Sequence, residues 1–140
     1  MEGMEQFGSH PARDVARASM TAVEAGDREG WLALFAPGAV VEDPIGPSMF
    51  DPEGRGHHGI DAIATFYDTV IATGQVEFAI RESYAGGNEC ANVGTITTTL
   101  LDGTRAVVEG VYTYRVDDEG RVAALRAYWE PDAITLVPPD

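Results

Sequence analysis

The sequence predicts an α+β domain: a cone-shaped, curved antiparallel sheet of four long strands plus a short one, wrapped by three N-terminal helices. A change of pattern predicts it. Apolar residues recur at helical spacing up to Ile71, then alternate with polar ones after Gly74. The alternating half is punctuated by Gly86–Gly87, Asp102–Gly103 and the run Asp117 to Gly120, all turn formers, so successive strands should be antiparallel neighbours. Helices first and a meander second segregates the helices to one face, and a strongly curved sheet leaves an interior that can hold a ligand. The 140 residues suit a single domain spanning 1–140, with about the first nine residues as a loose tail.

Each element has its own signal. Pro11 opens a helix through "ARDVARASMTAVEAG", with Val15, Ser19, Ala22 and Val23 on one face and Gly26 ending it. Asp27 caps a short second helix, "REGWLALFA", with Trp31, Leu32, Leu34 and Phe35 facing in, broken at Pro37 and Gly38. "AVVED" is a short strand. Pro44 pushes Asp43 to extended geometry and turns the chain away, leaving Asp43 at the strand's end. "PSMFDPEGRGHHG" is a loop, and "IDAIATFYDTVIA" returns to helical period with a stripe through Ile60, Ile63, Phe66 or Tyr67, Val70 and Ile71. "VEFAIRESY", "ANVGTITTTLL", "RAVVEGVYTYRV" and "RVAALRAYWE" are the four long strands.

Composition narrows the partners. No apolar run approaches the ~18 residues of a membrane span, and the N-terminus lacks the basic and apolar regions of a secretory leader. One cysteine, Cys90, excludes an internal disulfide, and cytoplasm is the expected compartment. The net charge of −14, with nine cationic residues, all arginine, disfavours nucleic acid and anionic lipid and points to a neutral small-molecule ligand. Adjacent His57 and His58 in a glycine-rich loop are expected to be solvated, and no metal or cofactor is expected. No Gly-x-Ser-x-Gly elbow or phosphate loop is present.

"VEAGDREGWLALFAPGAVVEDPIG" resembles the N-terminal signature of the ketosteroid isomerases, within the nuclear-transport-factor-2-like, or SnoaL-like, superfamily. The likeness continues through "GIDAIATFYD" to "GVYTYRVDDEGRVAALRAYW", covering most of residues 12 to 130. The resemblance implies that Asp43 moves a proton between two carbons of a 3-keto-Δ5-steroid or similar apolar ketone. Such a base must be partly desolvated and unpaired with a cation, which a strand end facing an apolar interior provides. Glu42 alternates to the opposite face.

Proton removal beside a ketone puts charge on oxygen, and the enolate needs hydrogen-bond donors. The family's helix tyrosine and strand aspartic acid fall here on Ser19 and Tyr112. Tyr112, or Tyr67, which matches a family tyrosine, is the expected replacement donor. Trp129 matches an aromatic pocket position. Ser19, Phe35, Phe66, Tyr114 and Leu125 are expected to contact ligand as well, and Val40 and Phe78 to add apolar wall. The departures at Ser19 and Tyr112 leave open a binding protein of the same fold without turnover. Polyketide cyclisation or epoxide opening is a third reading, but Arg126, its best arginine, alternates away from Leu125, Ala127 and Trp129. The sheet face bearing Glu109, Val111, Thr113 and Arg115 suits a homodimer.

Overall fold

The computed structural model describes residues 4–140. Among the described residues there are three α-helices: α1 (Pro11–Ala25), α2 (Arg28–Leu32) and α3 (Ile60–Thr69). The strands are β1 (Phe35–Glu42), β2 (His57–His58), β3 (Gly74–Gly86), β4 (Glu89–Leu100), β5 (Arg105–Val116), β6 (Val122–Tyr128) and β7 (Thr135–Val137). They form one curved sheet in the order β2-β1-β6-β5-β4-β3, with β7 added to the free edge of β5 at Arg105–Val107. The buried faces of α1 and α3 pack over this sheet, and Val15, Met20, Trp31, Ile63, Val41 and Ile80 lie in the core between them.

Curvature is written at two glycines. A side chain on Gly94 would collide with Ala79 and Ile80 at the point where the β3–β4 register shifts between Ile80 and Glu82. A Cβ on Gly110 would meet the Tyr128 carbonyl oxygen at 2.5 Å and Trp129 Cβ at 3.1 Å. Gly110 marks the place where β5 changes partners. Its residues 111–116 pair with β6 and its residues 105–107 with β7.

Four sequence expectations are corrected. The second helix stops at Leu32, and β1 already begins at Phe35, running through Pro37 and Gly38. Those two residues sit in a stretch where the β1–β6 register slips between Phe35 and Val40, so proline's missing N–H breaks no ladder bond with β6. Second, β1 runs parallel to β6, with Val41 opposite Leu125 and Glu42 opposite Arg126, so the sheet is not wholly antiparallel. Third, β2 and β7 were not expected; both are too short to show alternation.

The fourth correction concerns the tail. Residues 4–9 are not loose: Met4 is fully buried, and Arg17 donates to the carbonyls of Met4 and Phe7 at 2.9 and 3.2 Å. Arg13 holds the Gly8 carbonyl at 2.8 Å. Residues 1–3 of that expected tail lie outside the described residues. Among the described residues, no helix is long and apolar enough to cross a membrane.

Candidate active site

Parallel pairing of β1 and β6 brings the C-terminal ends of both strands to the same edge of the sheet. Asp43 is the first residue past β1 and Trp129 the first past β6. They meet there: the indole N–H of Trp129 donates to Asp43 Oδ1 at 2.6 Å. Pro44, joined to Asp43 by a cis peptide bond, is fully buried, and the Ile45 N–H donates to the Ala127 carbonyl at 3.0 Å, anchoring the turn to β6. The strand end is thus a fixed platform for one carboxylate.

Asp43 faces a cavity of about 320 Å³ between the helices and the concave face of the sheet. The wall is mainly apolar, built from residues such as Val23, Phe66, Val76, Ile96, Val108 and Leu125. Phe50, from the loop after β1, and Ile134, just before β7, also contribute. Burial pushes the Asp43 carboxyl above the ordinary carboxylate range; the Trp129 hydrogen bond and the charge of His57 act in the opposite sense but only partly offset it. Among the described residues no ion pair reaches Asp43. A carboxylate so placed is a stronger base than one in water.

Hydroxyl groups supply the remaining polarity. Tyr112 and Tyr114 follow one another on the same face of β5, and both line the cavity. Burial first, and the Asp43 charge after it, push the Tyr112 phenol well above its usual value. Tyr114 is raised likewise by burial, against a hydrogen bond with Ser19. The Tyr112 hydroxyl donates to the Val108 carbonyl at 3.1 Å. Tyr114 and Ser19 oxygens lie 2.8 Å apart, and the Trp31 indole N–H donates to Ser19 Oγ at 3.0 Å.

Seven of the expected site residues come together around this cavity: Asp43, Tyr112, Ser19, Trp129, Phe66, Tyr114 and Leu125. Three other expected residues do not line it. Tyr67 is buried but does not line the cavity; its ring lies 5.5 Å from Trp31. Beyond burial, the charges that act on its hydroxyl are Asp27 and Arg28, at the start of α2, and Asp68 on α3. Phe35 packs edge-on against Trp31 at 4.6 Å, behind the wall rather than in it. Val40 faces the outer groove with Glu42 and Arg126. Glu42 indeed points outward, accepting from Arg126 Nε at 3.1 Å.

Trp31, which the sequence places only as core, also lines the cavity and donates to Ser19. Its periodicity shows which way the ring faces and is silent on where the N–H goes. The His57 ring packs at a tilt against Phe66 with ring centroids 4.8 Å apart, while His58 contacts the Arg55 carbonyl at 2.7 Å. Among the described residues, no three His, Cys, Asp or Glu side chains are grouped as metal ligands.

A curved sheet closed by helices over an apolar cavity, with one unpaired carboxylate and several hydroxyls, defines a small-molecule pocket suited to proton transfer. The SnoaL-like domain family matches residues 16–125. A steroid Delta-isomerase of Nocardioides simplex is 29% identical over 119 residues, covering 85% of this chain and 89% of that protein. The Delta 5-3-ketosteroid isomerase from Mycobacterium sp. is 41% identical, with a TM-score of 0.88 over 92% of this chain and 100% of that one. A Mycobacterium tuberculosis protein solved in complex with estradiol-17beta-hemisuccinate is 37% identical, with a TM-score of 0.86 over 91% of this chain and 99% of that one. The chain belongs to the SnoaL-like family, among its ketosteroid isomerase-like proteins.

Proposed function

We propose that the protein is a steroid Δ-isomerase-like enzyme that moves a proton between two carbons of a 3-keto-Δ5-steroid or a similar apolar ketone. One observation carries the reading: Asp43, unpaired by any cation among the described residues and pushed toward higher pKa by burial, lines a largely apolar cavity. Its carboxylate takes the proton from the carbon between ketone and double bond. The C–H electron pair moves into the ring system, giving a dienolate with its charge on oxygen. The protonated Asp43 then returns the same proton to the γ-carbon, and the double bond ends in conjugation. No electrons are gained or lost, so the chemistry needs no cofactor. Donors to the dienolate oxygen would come from hydroxyls on the cavity wall.

The Nocardioides and Mycobacterium relatives support the reaction class, and the estradiol ester bound by the tuberculosis relative supports a steroid-like ligand. Among the described residues no arginine lines the cavity, consistent with a neutral ligand. A homodimer through the outer sheet face is part of the proposal; Tyr84 and Tyr128 are exposed there beside Arg115 and Arg126. A second reading, binding without turnover, is favoured by a specific observation: the Tyr112 hydrogen is already held by the Val108 carbonyl.

One experiment separates the two. Purified protein is mixed with a Δ5-3-ketosteroid, and the ultraviolet absorbance of the conjugated enone and the tryptophan fluorescence are followed together. Enone formation that Asp43→Asn abolishes supports the isomerase. Fluorescence quenching by the steroid without enone formation rejects it in favour of a binding protein.

A further inference from the structure

The Trp31–Ser19–Tyr114 cluster has more donors than acceptors. Indole, serine and phenol carry one polar hydrogen each, three in all. The Trp31 N–H is given to Ser19 Oγ at 3.0 Å, and one further hydrogen lies between Ser19 Oγ and the Tyr114 oxygen, 2.8 Å apart. If Ser19 donates to Tyr114, the phenol hydrogen is left over. If Tyr114 donates to Ser19, the serine hydrogen is left over. Either orientation leaves one hydroxyl hydrogen without an acceptor among the described residues.

Both hydroxyls are withdrawn from bulk solvent. Ser19 is 1% exposed and Tyr114 4% exposed, and both line the cavity that holds Asp43. Buried donors are normally satisfied, so a leftover one on the wall of a largely apolar cavity points to an acceptor on the ligand. The incoming Trp31 hydrogen bond polarises the serine oxygen and strengthens the bond it passes on. Tyr112, by comparison, has its single hydrogen committed to the Val108 carbonyl.

We propose that the Ser19–Tyr114 pair, aligned by Trp31, donates this spare hydrogen bond to the carbonyl oxygen of the ligand and holds the dienolate formed when Asp43 takes the proton. The catalytic half of this rests on the isomerase reading; the donor itself serves any ligand with an acceptor oxygen. Ser19 and Tyr114 are then catalytic residues, and Trp31 is a positioning residue. The arrangement has a built-in redundancy. In Tyr114→Phe the serine hydrogen is set free, and in Ser19→Ala the phenol hydrogen is, so each single variant keeps one donor.

The test is a double-mutant cycle on kcat for enone formation. Each single variant is expected to lose less than about tenfold, and Ser19→Ala/Tyr114→Phe about 10²–10³, the usual effect of removing an oxyanion donor. The double variant therefore loses more than the product of the singles. A pair that served only to hold the core together would give the opposite sign, because the second substitution would add little once the first had broken the contact. A double variant no worse than the product of the singles overturns the proposal.

A second readout avoids turnover. In an Asp43→Asn background, bound 2-naphthol stands in for the enolate, and its ionised fraction is read by fluorescence. That fraction should fall when both hydroxyls are removed and persist when either remains; no change on removing both overturns the donor assignment. If the parent protein fails to isomerise the ketosteroid, the isomerase reading falls and the naphthol result alone decides the donor. Should the double variant not fold, adding Trp31→Phe, which removes the buried indole N–H that position 19 no longer accepts, gives a triple variant that takes its place under the same criteria.

Discussion

Trp129→Phe removes one hydrogen bond from Asp43 while keeping an aromatic ring against Phe50, whose centroid lies 6.3 Å from that of Trp129. The indole N–H favours the ionised carboxylate, because an N–H donates to the anion better than to the neutral acid. A hydrogen bond to a charged group contributes ~1.5–3 kcal/mol. Asp43 is only partly buried by surface exposure, so the lower end applies. At about 1.4 kcal/mol per factor of ten, the ratio of ionised to protonated Asp43 falls roughly tenfold at a given pH.

The sign is fixed by the chemistry. The base acts when ionised, so activity is lost as pH falls through its pKa. Burial already places that loss above the ordinary carboxylate range, and removing the lowering influence of Trp129 moves it higher still. The assay is kcat/KM for enone formation against pH, parent beside variant. The variant's acid limb should sit at higher pH than the parent's, with the plateau at high pH largely retained. Superimposed acid limbs would refute the reasoning, because the group that titrates would not be the carboxylate held by Trp129.

Other substitutions probe other parts of the account. A carboxyl whose native pKa is raised stabilises the fold fully below its unfolded pKa, and that contribution is lost as pH rises through the native value. Asp43→Asn should therefore raise the urea midpoint over the parent at pH 8, with the two converging near pH 3; a lower midpoint at pH 8 contradicts the burial argument. Gly110→Ala forces a Cβ onto the Tyr128 carbonyl and should cost ~1–3 kcal/mol in urea unfolding, with kcat reduced through displacement of Trp129. Tyr67→Phe should change kcat by less than about twofold, since its hydroxyl lies away from the cavity; a hundredfold loss would restore it to the site.

Much of this architecture is legible in the chain because local rules and tertiary demands agree. The α1 face through Val15, Ser19 and Val23 is buried, and β5 matches its sequence pattern residue for residue from Arg105 to Val116. Asp43 stands at a strand end because a proline follows it, and that rule needs no tertiary knowledge. The failures occur where a distant partner overrides the local signal. Pro37 and Gly38 predict a break, yet β1 passes through them in a stretch unpaired with β6, and the Gly59 N–H donates to the Ala39 carbonyl just beyond at 2.8 Å. β7 forms only because β6 leaves the edge of β5 uncovered beyond Gly110.

The site divides in the same way. Helical spacing leaves Phe66 and Tyr67 as equals on α3, and both are buried, but only Phe66 looks into the cavity while Tyr67 packs on Trp31. The bond from Trp129 to Asp43 depends on β1 and β6 running parallel, which no alternation pattern reveals. The Trp31–Ser19–Tyr114 chain joins α2, α1 and β5, three elements with no shared sequence signal.

The most direct test of the central claim follows the proton itself. A Δ5-3-ketosteroid deuterated at the carbon between ketone and double bond is converted to product, and deuterium at the γ-carbon is measured by mass spectrometry and NMR. If Asp43 carries the proton across the face of the ligand inside a cavity shielded from water, a substantial part of the label arrives at the γ-carbon, and Asp43→Asn stops the transfer. Product whose γ-carbon carries hydrogen from solvent alone, or an Asp43→Asn variant that transfers the label as fast as the parent, would contradict the account.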